Sequence, residues 1–359
     1  MLRAGLIGLP SSGKTTLFEL LTNVRDAPRT HGKAEANVGI SRVPDDRLDR
    51  LTAMFQPKKR VPATVEFADM GAGRGDAKSL VDVVAYRNAD ALLHVVRAFR
   101  AAATPPPHST SDPARDARLV EDELILADLG SVERRLERLE KDLKKTPSPE
   151  LKAEFDILLA GRATLEAGRA LRTMGLSPED SRRLRGFQFL SAKPLLVVVN
   201  LDEADLGVAD APASHAGLDS FITGVHAAAV GVCAKIELEI AQLDTLDAAA
   251  FMADLGLRRS GLDRVIRAAY DLLGYISFFT VGEDECRAWS IPRATRAQDA
   301  AGAIHSDIQR GFIRAEVVPW DTLLDRGSLA ASRDHGELRL EGKDYVVRDG
   351  DTINFRHAT

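Results

Sequence analysis

The sequence predicts an α/β protein built on a mostly parallel β-sheet, with a helical insertion and a smaller α+β unit near its C-terminal end. Three observations lead to this prediction. Short, nearly continuous apolar runs recur between residues 3 and 233, as strands buried on both faces of a parallel sheet require. Residues 115–190 carry a helical spacing of apolar residues instead. From about residue 275 the pattern changes to short strand-like runs around one helix.

The parallel sheet is predicted from six candidate strands. They are residues 3–8, 38–43, 64–69, 91–96, 195–200 and 228–233. The first run ends in glycine and leads into a helix-like stretch that begins near Lys14. A strand, a turn and a helix are therefore expected at the start of the chain.

The insertion is predicted to be an antiparallel helical hairpin. An apolar seam with spacings of three and four residues runs through Leu129, Val132, Leu136, Leu139 and Leu143. The proline-rich segment 146–149 ends this helix, and a second helix follows. The seam has two interpretations, internal packing of the hairpin or a coiled-coil surface for a partner, and the first is favoured.

The C-terminal unit is predicted to be a small α+β roll. Its candidate strands are residues 276–281, 286–291, 312–318 and 345–355, and its candidate helix is residues 297–309. The expected organisation is a nucleotide-binding domain of residues 1–112 and 191–274, an inserted helical domain of residues 113–190, and a C-terminal domain of residues 275–359.

Length and composition predict an ordinary multidomain protein. A chain of 359 residues exceeds the size at which one hydrophobic core stops growing. No apolar run approaches the roughly 18 residues that span a bilayer, and no secretory signal is evident. The two cysteines, Cys233 and Cys286, lack metal or redox spacing, which favours a reducing cytosol. We therefore expect a cytoplasmic monomer without a membrane partner, a disulfide or a zinc site.

A phosphate-binding loop is predicted between Gly8 and Thr15. This segment matches G-x-x-x-x-G-K-[ST] at every fixed position, and it follows a strand and opens a helix, as the motif requires. By average residue frequencies the bare pattern arises by chance in about one chain in a hundred of this length. The residues expected to bind nucleotide here are Ser11, Ser12, Gly13, Lys14, Thr15 and Thr16. Backbone amides and the helix N-terminus would hold the β-phosphate, with Lys14 bridging the β- and γ-phosphates.

Mg²⁺ is the expected cofactor, held by Thr15 and Asp69. The threonine hydroxyl is a ligand in the motif, and Asp69 ends an apolar strand and is followed by Met70 and Gly71. The alternative for Asp69 is a helix cap or turn residue. The metal role is favoured because the strand-to-glycine context is the expected one.

Base contacts are predicted from two later loops, through Asn200, Leu201, Glu203, Cys233 and Ala234. The first three occupy the place where GTP-binding proteins carry N-K-x-D. The aspartate of that motif accepts two donors from guanine, and adenine lacks the 2-amino donor. Leucine and glutamate at the lysine and aspartate positions weaken the case for GTP, so ATP is favoured and GTP remains open.

The chain resembles the YchF or Obg-like ATPase family, as a divergent member, over nearly its whole length. The resemblance is carried by residues 37–39, 43–48, 62–67 and 123–129, and most specifically by 277–282 and 304–317. It implies a P-loop NTPase with a G-domain-like sheet, an inserted helical hairpin and a C-terminal β-grasp domain of the TGS type. It also implies ATP hydrolysis and association with ribosomes.

Departures from the family pattern affect the expected hydrolysis machinery. Lys33 occupies the place of a threonine that serves Mg²⁺ and the γ-phosphate in the family. The second switch reads Asp69-Met70-Gly71 and is shorter than the family's. The catalytic residues implied are Lys14 and His108, the latter being the nearest counterpart of a family histidine, although a solvated loop residue is the favoured alternative for His108.

Three functions therefore stay open. They are a Mg²⁺-dependent ATPase, a nucleotide-sensing binding module that has lost most hydrolysis, and a GTP-binding switch. Ribosome or RNA contact through the helical and C-terminal domains is one interpretation of five arginines, and a solvated surface is the other. These are Arg287, Arg293, Arg296, Arg310 and Arg314. The net charge of −5 requires that any such contact be local.

Overall fold

The computed structural model describes residues 3–22, 37–69, 83–100, 112–222, 226–257 and 259–358. Twelve strands lie in these ranges. In chain order they are β1 (Arg3–Ile7), β2 (Asn37–Arg42), β3 (Lys59–Val61), β4 (Thr64–Asp69), β5 (Ala91–Ala98), β6 (Leu195–Leu201), β7 (Ala227–Val232), β8 (Tyr275–Thr280), β9 (Glu285–Pro292), β10 (Phe312–Pro319), β11 (Arg339–Glu341) and β12 (Asp351–His357).

Thirteen α-helices lie in the same ranges. They are α1 (Lys14–Thr22), α2 (Asp46–Phe55), α3 (Pro113–Lys145), α4 (Pro149–Glu166), α5 (Pro178–Leu184), α6 (Pro212–His215), α7 (Ala234–Ile240), α8 (Thr245–Asp254), α9 (Gly261–Leu272), α10 (Ala297–Ile304), α11 (Ser306–Arg310), α12 (Trp320–Arg326) and α13 (Leu329–Asp334). None of the helices in the described part of the chain is long and apolar enough to cross a membrane.

The chain divides into two compact units. The larger comprises Leu2–Ser41 and Glu66–Leu272, and the smaller comprises Arg42–Val65 and Leu273–Thr359. The larger unit contains a six-stranded sheet in the order β2-β4-β1-β5-β6-β7. Strands β4, β1, β5, β6 and β7 pair in parallel. All six predicted strands are confirmed, and β6 is buried along its whole length, as its unbroken apolar run predicts.

The predicted hairpin is confirmed as α3 and α4, which pack against each other. Asp112 caps α3 by accepting a hydrogen bond from the Arg115 amide, and Ser148 caps α4 by accepting one from the Leu151 amide. Each cap precedes a proline at the first helical position, where a missing amide hydrogen costs nothing. The first helix thus ends at Lys145, and Ser148-Pro149 starts the next.

The apolar seam of α3 lies inside the hairpin. Val132, Leu136 and Leu139 are buried in a cluster that also contains Leu158 and Leu165 of α4. The seam therefore serves internal packing, and a coiled-coil surface for a partner is not formed by these residues.

The smaller unit has the β-grasp arrangement. Its sheet has the order β11-β10-β12-β8-β9-β3, with an antiparallel hairpin of β8 and β9 and a parallel pairing of β8 with β12. Helix α10 packs three alanines, Ala297, Ala300 and Ala301, into the apolar core on one face of this sheet. Small side chains let the helix approach the sheet closely, which accounts for the compact roll.

Residues 42–65 lie in the smaller unit, although the predicted boundaries assigned them to the nucleotide-binding domain. Strand β3 pairs in parallel with β9, and α2 contacts α12 and β9. The side chain of Arg47 in α2 forms ion pairs with Asp45 and Asp349 and lies over the ring of Phe279. The ion pair with Asp349 joins residues that are 302 positions apart, so local sequence patterns do not reveal it.

Two further details differ from the sequence prediction. The single helix expected at residues 297–309 is two helices, because His305 is extended with φ −162° and caps α11 by accepting a hydrogen bond from the Asp307 amide. The strand expected at 345–355 begins only at Asp351. Strand β11 and helices α12 and α13 were not predicted.

We expect Arg47→Met to lower the free energy of unfolding of the smaller unit by about 2–4 kcal/mol, because Asp45 and Asp349 lose a shared, largely buried partner. Arg296→Met is the control, because Arg296 pairs with Asp344 at an exposed site where an ion pair contributes at most about 1 kcal/mol. Chemical denaturation followed by tryptophan fluorescence measures both. Equal destabilisation by the two variants would contradict the anchoring role of Arg47.

Candidate nucleotide-binding site

The predicted phosphate loop connects β1 to α1 at the edge of the parallel sheet. Gly13 has φ +95°, and a Cβ atom there would lie 2.4 Å from Asn200 Nδ2. A Cβ atom at Gly8 would lie 2.4 Å from the carbonyl oxygen of Val95. Real Cβ contacts are never this close, so both motif glycines are required by neighbouring strands as well as by the loop's own turns.

The carbonyl groups of the loop are bound by side chains. The Lys14 ammonium donates hydrogen bonds to the carbonyl oxygens of Gly8 and Leu9, at 2.8 and 2.9 Å. Arg97 Nη1 donates to the carbonyl oxygen of Ser11 at 3.2 Å, and Asn200 Nδ2 donates to that of Ser12 at 3.1 Å. Because Arg97 and Asn200 bind the carbonyl oxygens of Ser11 and Ser12 from neighbouring strands, the loop can present its amide hydrogens to an anion.

Arg97 and Asn200 act from adjacent strands. They are the penultimate residues of β5 and β6 and are register partners in that parallel pair. Both residues are buried, with 3% and 5% of their surface exposed. Side chains from two neighbouring strands thus bind two consecutive carbonyls of the loop. The hydrogen bond from Arg97 also stabilises Ser11 in a left-handed conformation of φ +61°, which is unfavourable for a residue with a side chain.

Asn200 also connects the phosphate loop to the loop after β7. Its Oδ1 accepts a hydrogen bond from the Ala234 amide at 3.1 Å, while its Nδ2 holds Ser12. The hydroxyl of Ser12 is buried and has no hydrogen-bond partner among the described residues. An unpartnered buried hydroxyl in this loop is a donor that a phosphate oxygen would satisfy.

Thr15 and Asp69, the residues predicted to hold Mg²⁺, lie at the start of α1 and at the end of β4. Thr15 is exposed at the first turn of α1, and Thr16 beside it is half-buried. Asp69 is buried at the end of β4, where it is the register partner of Leu6 in β1. A hydroxyl and a carboxylate are the hard oxygen donors that suit Mg²⁺. No cluster of three or more acidic, histidine or cysteine side chains occurs among the described residues, so phosphate oxygens and water would complete the coordination.

Charge at the site follows from burial. Burial lowers the pKa of Lys14, and the negative charge of Asp69 partly offsets this. Burial also lowers the pKa of His94 in β5 to about 3, with help from the positive charges of Arg172 and Lys14. His94 is therefore neutral at physiological pH, and Lys14 is a desolvated cation that an anionic ligand would stabilise.

Of the predicted base-contact residues, Asn200 and Leu201 are the last two residues of β6, and Glu203 follows this strand. Glu203 forms an ion pair with Lys235, which belongs to α7. Leu201 is buried in the apolar core, so a nucleotide contact from this residue would come from its backbone. Cys233 and Ala234 are buried at the start of α7, and burial raises the pKa of the Cys233 thiol, which keeps it protonated.

Three predicted features lie outside the described residues. They are Lys33, His108 and the second switch after Asp69. Arg97 was missed by the sequence analysis. A charged residue directly after the apolar run 91–96, on a strand beside the one that carries the phosphate loop, is the signal that could have identified it.

The five arginines proposed as an RNA surface do not share one face. Arg287 is the register partner of Thr280, on the side of the sheet that carries Ile276 and Phe278 toward the α10 core. Arg314 points to the opposite side, because its neighbour Ala315 lies in that core. Arg287, Arg296 and Arg310 are moreover paired with carboxylates, so much of their charge is neutralised.

A G-x-x-x-x-G-K-T loop between the first strand and first helix of a parallel sheet, with its carbonyls bound from behind, defines a P-loop nucleotide-binding protein. A family model named YchF-GTPase_C, described as a protein of unknown function (DUF933), matches residues 275–358. The chain belongs to the YchF family, as relatives along its whole length show.

Two such relatives are both named "Ribosome-binding ATPase YchF". The protein of Bacillus subtilis (strain 168) is 40% identical, with 99% of each chain covered. That of Pasteurella multocida (strain Pm70) is 37% identical, with 99% of this chain and 98% of the relative covered. The solved structure of the Schizosaccharomyces pombe YchF GTPase superimposes with a TM-score of 0.84 at 28% identity, covering 99% of this chain and 97% of that one.

We expect Gly13→Ala to weaken ATP binding at least about tenfold, because the new methyl group would displace Asn200 from the phosphate loop. Gly168→Ala is the matched control. Gly168 has φ +67° but no atom within 4 Å of the added Cβ, so it carries the left-handed cost of about 1 kcal/mol without the clash. Calorimetric titration measures the affinity. Unchanged ATP binding by Gly13→Ala would show that the close contact with Asn200 is unimportant.

Arg97→Met should weaken binding of ADP and of pyrophosphate about tenfold or more, because a bond from a charged donor to Ser11 is worth roughly 1.5–3 kcal/mol. Arg172→Met is the control, because it removes another buried arginine of the same unit, one whose ion pair is with Glu121 and not with the loop. The control should lower the unfolding temperature and leave pyrophosphate affinity within about twofold. If both variants lost pyrophosphate affinity equally, the loss in Arg97→Met would be explained by lower folding stability, and the role of Arg97 in holding the loop would be contradicted.

Proposed function

We propose that this chain binds ATP with Mg²⁺, hydrolyses it slowly and associates with ribosomes. The observation that carries the proposal is the phosphate loop, in which Arg97 binds the carbonyl of Ser11 and Asn200 binds that of Ser12. Such a loop is built for an anion before the anion arrives. Membership of a family whose relatives are named ribosome-binding ATPases supports the choice of nucleotide and partner.

Lys14 is the residue that changes partners on binding. In the structure its ammonium is held by two carbonyl oxygens. A triphosphate offers full negative charge in their place, so the ammonium would move to the β- and γ-phosphates and its lowered pKa would rise. The same charge would stabilise the γ-phosphate oxygens as a water molecule attacks in line, which makes Lys14 the main catalytic residue described.

Thr15 and Asp69 would hold Mg²⁺, Thr15 from the start of α1 and Asp69 from the end of β4. The ion supplies neutralisation of charge on the transferred phosphoryl group. Thr16 and the amides of the loop would bind the α- and β-phosphates. His108 is retained as a proposed hydrolysis residue on the family resemblance alone.

Adenine is the proposed base because Glu203 is already paired with Lys235. Guanine presents two neighbouring donors that need a free carboxylate, whereas adenine presents a donor beside an acceptor. The carboxylate of Glu203 can accept a hydrogen bond from the adenine donor, and the ammonium of Lys235 can donate one to the neighbouring acceptor. Asn200, Cys233 and Ala234 would line the rest of the base site, together with the backbone of Leu201.

A second candidate function is a nucleotide-sensing module with little hydrolysis. The altered switches favour it, since Lys33 replaces a threonine ligand and the second switch is short. In that case ATP and ADP would set partner affinity while both nucleotides stay intact. Under either function the ribosome is the proposed partner, which implies a cytoplasmic location, and the chain would act as a monomer.

A phosphate-release assay decides between the two functions. We expect the wild-type chain to release phosphate from ATP only with Mg²⁺, and Lys14→Ala to reduce release to background. Calorimetry on the same samples reports binding. Tight ATP binding without release above the Lys14→Ala background would support the sensing module, and absence of ATP binding would remove both functions.

We expect the wild-type protein to bind ATP more tightly than GTP. The variant Lys235→Met should reduce the ratio of ATP affinity to GTP affinity by up to about fivefold. The limit follows because an exposed ion pair is worth at most about 1 kcal/mol. Lys58→Met is the control, since it removes an equally exposed lysine that pairs with Asp284 in the smaller unit. A GTP preference in the wild type, or an unchanged ratio in Lys235→Met, would refute the role of this pair in base selection.

A further inference from the structure

The smaller unit carries two arginines side by side on its sheet. Arg314 of β10 and Arg356 of β12 are direct register partners. Both are exposed, and both lie on the face opposite the α10 core. Like charges directly across a strand pair repel each other and destabilise a sheet.

A buried carboxylate organises this face. Glu316, two residues from Arg314 on the same side of β10, is only 5% exposed. It accepts hydrogen bonds from Arg356, from Arg333 of α13 at 3.1 Å and from Asn354 at 2.8 Å. Burial opposes its ionisation, but the hydrogen bonds from Arg356 and Asn354 outweigh it and hold the pKa of Glu316 below its usual value.

The carboxylate of Glu316 is buried, whereas the arginine side chains around it are exposed to solvent. The side chains of Arg333 and Arg356 are each 56% exposed, whereas that of Glu316 is 5% exposed. Arg333 and Arg356 therefore share one carboxylate, and Arg314 beside them has no ion pair among the described residues. The local surface is positive on a chain whose net charge is −5. Exposed Asn354 and Leu340 beside Glu316 add a hydrogen-bonding and an apolar group.

We propose that this arginine face, formed by Arg314, Arg333 and Arg356 around Glu316, binds the phosphate backbone of RNA. The inference rests on the proposed association with ribosomes and names the surface that makes it. Arginine forks suit phosphate oxygens, and guanidinium groups already fixed by a buried carboxylate lose little freedom on binding. An anionic backbone also relieves the repulsion between Arg314 and Arg356.

The face differs from the surface that the sequence suggested. Of the five arginines named there, only Arg314 belongs to it, and Arg333 and Arg356 come from segments whose proximity is set by the fold. Arg296 and Arg310 are also exposed and carry the same charge, but they are paired with exposed Asp344 and Asp307. They provide a matched pair for comparison.

The test compares two double variants of the full chain that change net charge equally. Arg314→Gln with Arg356→Gln should weaken binding to a labelled ribosomal RNA hairpin about tenfold, and should reduce the slope of log affinity against log salt by about two, the loss expected for two phosphate contacts. Arg296→Gln with Arg310→Gln should change affinity less than about twofold. Arg314→Lys with Arg356→Lys should keep most of the salt dependence, because the charges remain.

Ribosome sedimentation and ATP titration accompany these measurements. Wild-type protein that fails to sediment with ribosomes contradicts the proposed partner itself, whereas wild-type sedimentation with equal RNA affinity in both glutamine variants overturns only the arginine face. Loss of sedimentation in the Arg314 and Arg356 variant with unchanged RNA binding would assign the face to a ribosomal protein and also overturn the proposal. ATP affinity should be the same in all variants.

Discussion

An anion-binding loop depends on where its carbonyl groups point. Amide hydrogens can gather around a phosphate only if the carbonyls of the same peptides are directed elsewhere, and buried carbonyls need donors. In this chain two buried side chains provide those donors, Arg97 for Ser11 and Asn200 for Ser12. The proposed chemistry of the site depends on these bonds.

The parallel sheet explains how the donors reach the loop. Strand β1, which leads into the loop, lies next to β5, and β5 lies next to β6. The carboxyl ends of these strands meet at one edge, so Arg97 and Asn200 emerge beside the loop at adjacent register positions. Burial lowers the pKa of Lys14 at the same edge. The fold thus prepares both the geometry and the charge before any nucleotide binds.

The sequence predicts the features of this molecule that depend on neighbouring residues better than those that depend on contacts between distant residues. The six strands of the parallel sheet and the hairpin break at Ser148-Pro149 follow from apolar runs and caps, which are properties of neighbouring residues. The phosphate loop follows from a fixed spacing. Arg97 and the membership of residues 42–65 in the smaller unit depend on pairing across strands far apart in the chain. The arginine face has the same origin, because Glu316 gathers side chains from β12 and α13.

A pair of crystal structures, one without nucleotide and one with Mg²⁺ and a non-hydrolysable ATP analogue, tests the central claim most directly. The account predicts that the bonds from Arg97 to Ser11 and from Asn200 to Ser12 are the same in both, while the Lys14 ammonium leaves the carbonyls of Gly8 and Leu9 for the phosphates. A loop that breaks the Arg97 and Asn200 bonds to accept the nucleotide, or a triphosphate bound away from Lys14, would contradict it.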